Sequence, residues 1–260
     1  MERDNKSKYI LEARGISKHF GGVYALDSVD LTLKHNEVLG LVGDNGAGKS
    51  TLIKVISGVI KKDKGDIYFD GEKVNIKNPR DAYDLGIETV YQNLNLVDLQ
   101  NVVFNIFLGR EMKSKGLLKF FGFLNHKKMF KESEELIEEL NIDLGSLSKP
   151  MRDYSGGQRQ AVAISKAVYW GKKVVILDEP TAALGVKESA KMLEFIRMLK
   201  EKSKMSIIVI SHNMQHIFKM VDRIMVLRRG KLVTVRDVHD VSSDDIVKYI
   251  TGSEEVIVKM

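Results

Sequence analysis

Three short stretches carry residue types suited to handling a polyphosphate. The run Gly43-Asp44-Asn45-Gly46-Ala47-Gly48-Lys49-Ser50, followed by Thr51, fits the spacing G-x-x-x-x-G-K-[ST]. Glycines in such a loop let successive backbone N–H groups face a phosphate, and a helix opening behind them directs its positive end at the same point. Lys49 is then expected to reach the β- and γ-phosphates, and the Ser50 hydroxyl to ligate Mg2+. Chance reproduces the four fixed positions in roughly 1% of chains of this length, so a plain glycine turn with a surface lysine is the poorer reading.

The second stretch is the apolar run 174–177, which delivers Asp178 and Glu179 to the end of a strand. Asp178 is suited to hold Mg2+ through its water shell, and Glu179 to act as general base toward an attacking water. Asp-Glu-Pro alone can simply close a strand and open a turn, but a phosphate loop upstream favours the catalytic reading. The third stretch, Ser155-Gly156-Gly157-Gln158, opens a helical run over 159–170 that ends at Gly171. Such a helix start is a second anion-binding terminus. One phosphate loop and two phosphate-seeking elements in one chain point to a nucleotide shared with another copy.

These residues need a frame that brings strand ends together. The runs 37–42, 174–177 and 207–210 are rich in β-branched residues without polar alternation, the pattern of parallel strands covered on both faces. A helix-flanked sheet follows, with ligands at the carboxyl ends of its strands. The segment 51–60 reads as the helix behind the phosphate loop. Segments 9–14 and 67–74 read as β structure, the latter turning at Asp70-Gly71. Between Gln92 and Gln158 the texture is helical: over 130–140, Phe130, Leu136, Ile137 and Leu140 oppose Glu132, Glu134, Glu135, Glu138 and Glu139. The acidic side is a solvated face and not a metal site.

Composition bounds the rest. With 260 residues, 43% of them hydrophobic, 29% charged and only 3 prolines, the chain can bury a full core, which rules out disorder and low complexity. Purely apolar runs do not exceed four residues, against the ~20 needed to cross a bilayer. The start of the chain, 1–10, carries no secretion-type apolar stretch, so a cytoplasmic location is expected. Zero cysteines exclude disulfides, Cys-type zinc sites and thiol catalysis. The formal charge of +6 is compatible with polyanionic ligands or a membrane surface but is small.

With Tyr154-Ser155-Gly156-Gly157-Gln158 following the phosphate loop and preceding Asp178-Glu179, the sequence resembles the ATP-binding cassette (ABC) ATPases, whose signature usually reads Leu-Ser-Gly-Gly-Gln. The resemblance implies an α/β P-loop NTPase (RecA-like) core with an N-terminal antiparallel β subdomain and an inserted α-helical subdomain. The whole chain, 1–260, forms one cassette: 1–91 and 159–260 make the nucleotide-binding core, and 92–158 the helical subdomain with the signature. It implies ATP and Mg2+ as cofactors and Phe20 as the residue stacked on adenine, with Tyr24 a nearby competitor. The metal is expected on Ser50, Gln92 and Asp178, with Gln92 also sensing the attacking water. His212 resembles the switch histidine that contacts the γ-phosphate, so Lys49, Gln92, Glu179 and His212 form the expected catalytic set. Ser155, Gly156, Gly157 and Gln158 are expected to act in trans, across a head-to-tail homodimer that closes on ATP. The implied partners are membrane permease subunits and, indirectly, a solute-binding protein, with the chain peripheral on the inner face of the membrane and no nucleic acid bound.

Two departures from the family pattern stand out. Tyr154 replaces the usual leucine, and Gly185 stands where the family commonly places the D-loop aspartate, which puts carboxylate-mediated communication between the two sites in question. The wording Ala182-Ala183-Leu184-Gly185-Val186, with Asn105-Ile106-Phe107-Leu108-Gly109-Arg110-Glu111, resembles the monosaccharide-importer branch. Two rivals are a soluble ABC ATPase acting on nucleic acid or the ribosome and a non-hydrolysing nucleotide switch. The first lacks tandem cassettes or coiled-coil insertions here, and the pairing of Glu179 with His212 argues against the second. Finally, the crowding of Val97, Leu99, Val102, Val103, Phe104, Ile106 and Phe107 after Gln92 predicts a partly apolar permease-docking groove over 94–107.

Overall fold

The computed structural model describes residues 7–114, 122–182 and 184–253. The expectations resting on Ala183 and on positions 1–6 lie outside the described residues. Two sheets organise the chain. In the first, β1 (Tyr9–Phe20), β2 (Val23–Lys34), β4 (Lys64–Phe69) and β5 (Glu72–Val74) pair antiparallel in the order β2-β1-β4-β5. Its predicted hairpin turn is present: Asp70 and Gly71 both take positive φ, 52° and 84°, as a two-residue type I′ connection requires.

The second sheet contains β3 (Val38–Val42), β6 (Ile87–Val90), β7 (Val174–Asp178), β8 (Ser206–Ile210), β9 (Arg223–Arg228) and β10 (Lys231–Asp237). The order is β10-β9-β3-β8-β7-β6, parallel from β9 to β6, with β10 antiparallel at one edge. Each central strand alternates its side chains between two cores. Val38, Val42, Val175, Leu177, Ile207, Val209, Ile224 and Val226 join one cluster. Leu39, Leu41, Val174, Ile176, Ile208, Ile210, Met225 and Leu227 join the other. The sheet is therefore covered on both faces, which is why its strands read as unbroken apolar runs.

The helices are α1 (Lys49–Ile56), α2 (Pro79–Asp84), α3 (Val102–Phe107), α4 (His126–Glu139), α5 (Gly156–Gly171), α6 (Val186–Ser203), α7 (Met214–Met220) and α8 (Ser243–Thr251), with short 3-10 turns at Met151–Asp153 and Val238–Asp240. Helix α1 stops short of the predicted 60, because Ser57 closes it and Gly58 follows at φ 73°. Just before β3, Glu37 is 4% exposed and accepts Arg223 Nε at 2.5 Å and Nη2 at 3.1 Å, tying the entry of β3 to that of β9.

Two expectations are corrected between Gln92 and Gln158. Of the apolar residues expected on the inner face over 130–140, Leu136, Ile137 and Leu140 are buried, whereas Phe130 is 39% exposed and Met129 and Ser133 are buried in its place. The buried serine interrupts the apolar stripe and hides that Met129, not Phe130, continues it in the first turn. The predicted groove over 94–107 also divides: Val102, Val103, Ile106 and Phe107 are core residues at 0–5% exposure, and only Val97 and Leu99 stand out at 40% and 72%. Phe107 packs edge-on against Tyr169 and Trp170 of α5, and Trp170 Nε1 donates to Ile106 O at 2.8 Å, so α3 roots this segment in the main core.

Candidate functional site

Because β3, β8, β7 and β6 run parallel, their carboxyl ends share one edge of the sheet. From the end of β3 the loop Gly43–Gly48 leads into α1 at Lys49. From β7 emerge Asp178 and Glu179, from β8 Ser211 and His212, and from β6 Tyr91 and Gln92. One edge of the sheet thus brings together the phosphate loop, the acid pair, the histidine and the exposed glutamine.

The loop is held by its surroundings. Gly48 sits at φ 104°, and a Cβ there would lie 2.7 Å from the Ala25 carbonyl oxygen of β2 and 2.9 Å from Leu26 Cδ2. Only glycine fits that conformation and that contact. Gly230 N donates to Ala47 O at 3.0 Å, and Ala47 N to Asp44 O at 3.1 Å. The Lys49 ammonium curls over the loop and donates to Gly43 O at 2.6 Å and Asp44 O at 2.9 Å. Burial pulls its pKa below the ordinary lysine value, against the pull of Glu179, Asp44 and Asp178. Those three carboxylates thus lie within electrostatic reach of the ammonium.

Asp178 is the converse case. Burial, then repulsion from Glu179, pushes its carboxyl above the ordinary aspartate value, while Lys49 and Lys54 oppose the shift. An anion so disfavoured is suited to a divalent cation. Ser50 offers a hydroxyl, Asp178 a carboxylate and Gln92 an amide oxygen, all hard donors of the kind Mg2+ takes alongside phosphates and water. Among the described residues there is no group of three His, Cys, Asp or Glu side chains able to hold a metal by themselves, which leaves those phosphate and water ligands a natural place.

Glu179 has a positive φ of 52°, unusual for a side chain of its size. Its N–H donates to Ile210 O at 2.9 Å, and its Oε1 accepts His212 N–H at 3.1 Å and sits 2.8 Å from His212 Nδ1. Glu179 and His212 are therefore in contact across the ends of β7 and β8. Phe20 and Tyr24 flank the tip of the β1–β2 hairpin, 51% and 65% exposed, with Lys18 Nζ 5.5 Å from the centre of the Phe20 ring.

The glycine-rich helix start stands apart from this cluster. Ser155 caps α5: its Oγ accepts from Gln158 N at 3.2 Å, and Gln158 Oε1 accepts Ser155 N at 3.1 Å. Among the described residues no hydrogen bond or ion pair connects Ser155, Gly156, Gly157 or Gln158 with the phosphate loop. Tyr154 is 7% exposed and its hydroxyl donates to Ser146 O, so the leucine replacement is packed into the core. Gly185 begins α6 with no side-chain cap, and Glu188 Oε2 lies 2.5 Å from where its Cβ would be.

Some contacts around the site were not anticipated from sequence. Arg159 of α5 pairs with Asp98 at 2.5 Å, joining the signature helix to the segment after Gln92. Arg110 pairs with Glu88 of β6 at 2.6 Å and lies 3.8 Å over the Tyr83 ring. Thr181 meets His216 at 3.0 Å across 35 residues of chain, a contact without a local signature in the sequence.

Similarity to known proteins agrees with this geometry. Residues 26–182 match the ABC transporter family. The chain is 45% identical over 243 residues to the xylose/arabinose import ATP-binding protein XylG of Sulfolobus acidocaldarius, covering 94% of each. It is 43% identical over 248 residues to the fructose import ATP-binding protein FrcA of Rhizobium meliloti, covering 95% of each. Among solved structures it is similar to the ADP conformation of MJ1267, an ATP-binding cassette of an ABC transporter, with TM-score 0.79 and 25% identity over 95% of this chain and 100% of that one.

Proposed function

Since the chain belongs to the ABC transporter family, we propose that it is the ATP-hydrolysing subunit of an importer whose solute is a simple sugar. The observation that carries this reading is near full-length similarity to two sugar-import ATP-binding proteins, with the phosphate loop, Asp178, Glu179, His212 and Gln92 on one sheet edge. No helix among the described residues is long and apolar enough to cross a membrane, so the solute path belongs to permease partners. The segment 92–158, with exposed Val97 and Leu99, is our assignment for the permease-facing subdomain, set on a core of 1–91 and 159–260.

In this mechanism the loop N–H groups and Lys49 bind the phosphates, Lys49 exchanging its two carbonyl partners for phosphate oxygens. Ser50, Asp178 and Gln92 would hold Mg2+, which when bound neutralises charge on the β- and γ-phosphates. Glu179 orients water and accepts its proton, and His212 leaves Glu179 to meet the γ-phosphate. Phe20 supports the adenine. Ser155, Gly156, Gly157 and Gln158, which make no hydrogen bond to the phosphate loop of their own chain among the described residues, complete the site of a second copy across an isologous dimer.

The experiment is phosphate release by the purified chain. Glu179→Gln retains ATP binding and loses about 100-fold or more of turnover, the weight of a positioned base. Near-wild-type turnover in that variant would refute the role. ATP-dependent uptake of labelled sugars into vesicles holding the chain with its permease tests the solute class.

A further inference from the structure

Two contacts of different kinds join the turn after β7 to the turn and helix after β8. The first is Glu179 with His212. In the second, Thr181 Oγ1 lies 3.0 Å from His216 Nδ1, across 35 residues of chain. Thr181 is 7% exposed. His216 is fixed in the first turn of α7, its N–H donating to the Asn213 side chain at 3.1 Å. The contacts lie two residues apart after β7 and four residues apart after β8, so they act as parallel braces.

The first brace has to open in turnover, because His212 and Glu179 are both needed at the nucleotide. The Glu179 turn then has a reason to relax, since its φ of 52° is disfavoured for a non-glycine residue and persists only where neighbours enforce it. Beside the backbone bonds from Glu179 N to Ile210 O and from Ala182 N to Glu179 O, the side-chain contact that still holds this turn is that of Thr181 with His216. Burial, reinforced by Lys219 and His212, holds the His216 imidazole below the ordinary histidine range. The ring is thus neutral at pH 7, and either Nδ1 or the threonine hydroxyl donates to the other.

We propose that His216 is a positioning residue for ATP hydrolysis, its Nδ1 contact with Thr181 keeping the Glu179 turn docked on α7 while His212 changes partner. The inference rests on the reading of Glu179 as the base and adds a residue to it.

The test uses steady-state hydrolysis by the full chain. Asparagine carries its polar atoms where Nδ1 lies, whereas glutamine carries them further out, so the two separate this contact from general polarity. Thr181→Val and His216→Gln are expected to lower kcat about fivefold, the weight of one neutral hydrogen bond, with KM for ATP unchanged. His216→Asn and Thr181→Ser keep the wild-type rate, and the double variant Thr181→Val/His216→Gln loses no more than either single. Amide hydrogen exchange at Glu179 and Thr181 rises only in the variants that lose the contact. Unchanged rates, additive losses, or a loss that asparagine fails to rescue would overturn the proposal. A wild-type chain that released no phosphate would overturn the functional reading as well, whereas an active wild type with indifferent variants removes only the brace.

Discussion

Substituting alanine for Gly48 separates two reasons for a glycine at the end of the phosphate loop. The backbone there has φ 104°, which an L-residue adopts only under strain of about 1–3 kcal/mol. The new methyl would also stand 2.7 Å from the Ala25 carbonyl and 2.9 Å from Leu26 Cδ2, adding an overpacking penalty of about 1–3 kcal/mol. Gly46 provides the control: its φ is 80°, and a Cβ there would meet no heavy atom within 4 Å. Gly46→Ala therefore carries strain alone. Unfolding entropy of about 2.1 cal/mol/K per residue makes each kcal/mol worth about 2 °C in a chain of this size. Gly48→Ala is expected to melt about 4–10 °C below wild type and clearly below Gly46→Ala, with the greater loss of ATP affinity, because β2 and the loop must part to admit the methyl. Melting curves with and without ATP give both quantities. If Gly48→Ala melted no lower than Gly46→Ala, the clamp of β2 on the loop would not be what demands glycine.

Two further predictions concern the frame around the site. Arg223→Ala leaves Glu37 buried and unpaired, so about 3–5 kcal/mol of stability is lost, and denaturant titration should show less than 1 kcal/mol only if the pair is dispensable. Tyr169 is pushed up to about 12 by burial and then by Glu132. Because that value exceeds the unfolded one of about 10, its contribution is intact below pH 10 and fades as pH climbs through 12. The stability gap between wild type and Tyr169→Phe should narrow across that interval, and a constant gap would contradict the assignment.

The parts of this site that were legible in the sequence are local ones. The phosphate loop, the acid pair and the Asp70-Gly71 turn each depend on a few adjacent residues with sharp conformational demands, and β3, β7 and β8 announce themselves through two-sided burial. The inner face of α4 is legible at Leu136, Ile137 and Leu140 but not in its first turn, where Phe130 and Met129 both fit a helical stripe and the choice falls to whichever face α3 and α5 cover. The apolar crowding over 102–107 predicts a partly apolar groove, but the sequence does not reveal which members are core, because α3 is rooted by burial against Tyr169 and Trp170. Contacts such as Thr181 with His216, or Glu37 with Arg223 across 186 residues, arise from topology and have no local signature.

The position of β3 also has a consequence for biosynthesis. Both of its neighbours, β8 and β9, come from the last quarter of the chain, beginning at Ser206 and Arg223. At roughly 5–20 residues per second, some 10–30 s separate the emergence of Val42 from that of Ile207. Throughout that interval the N-terminal antiparallel sheet can pair within itself, while Val38–Val42, wholly buried in the finished fold, has neither lateral partner. The strand that aims the phosphate loop is thus an unpaired apolar edge for most of translation, a segment that gains from cover on the ribosome, and the nucleotide site cannot assemble before β8 and β9 have emerged.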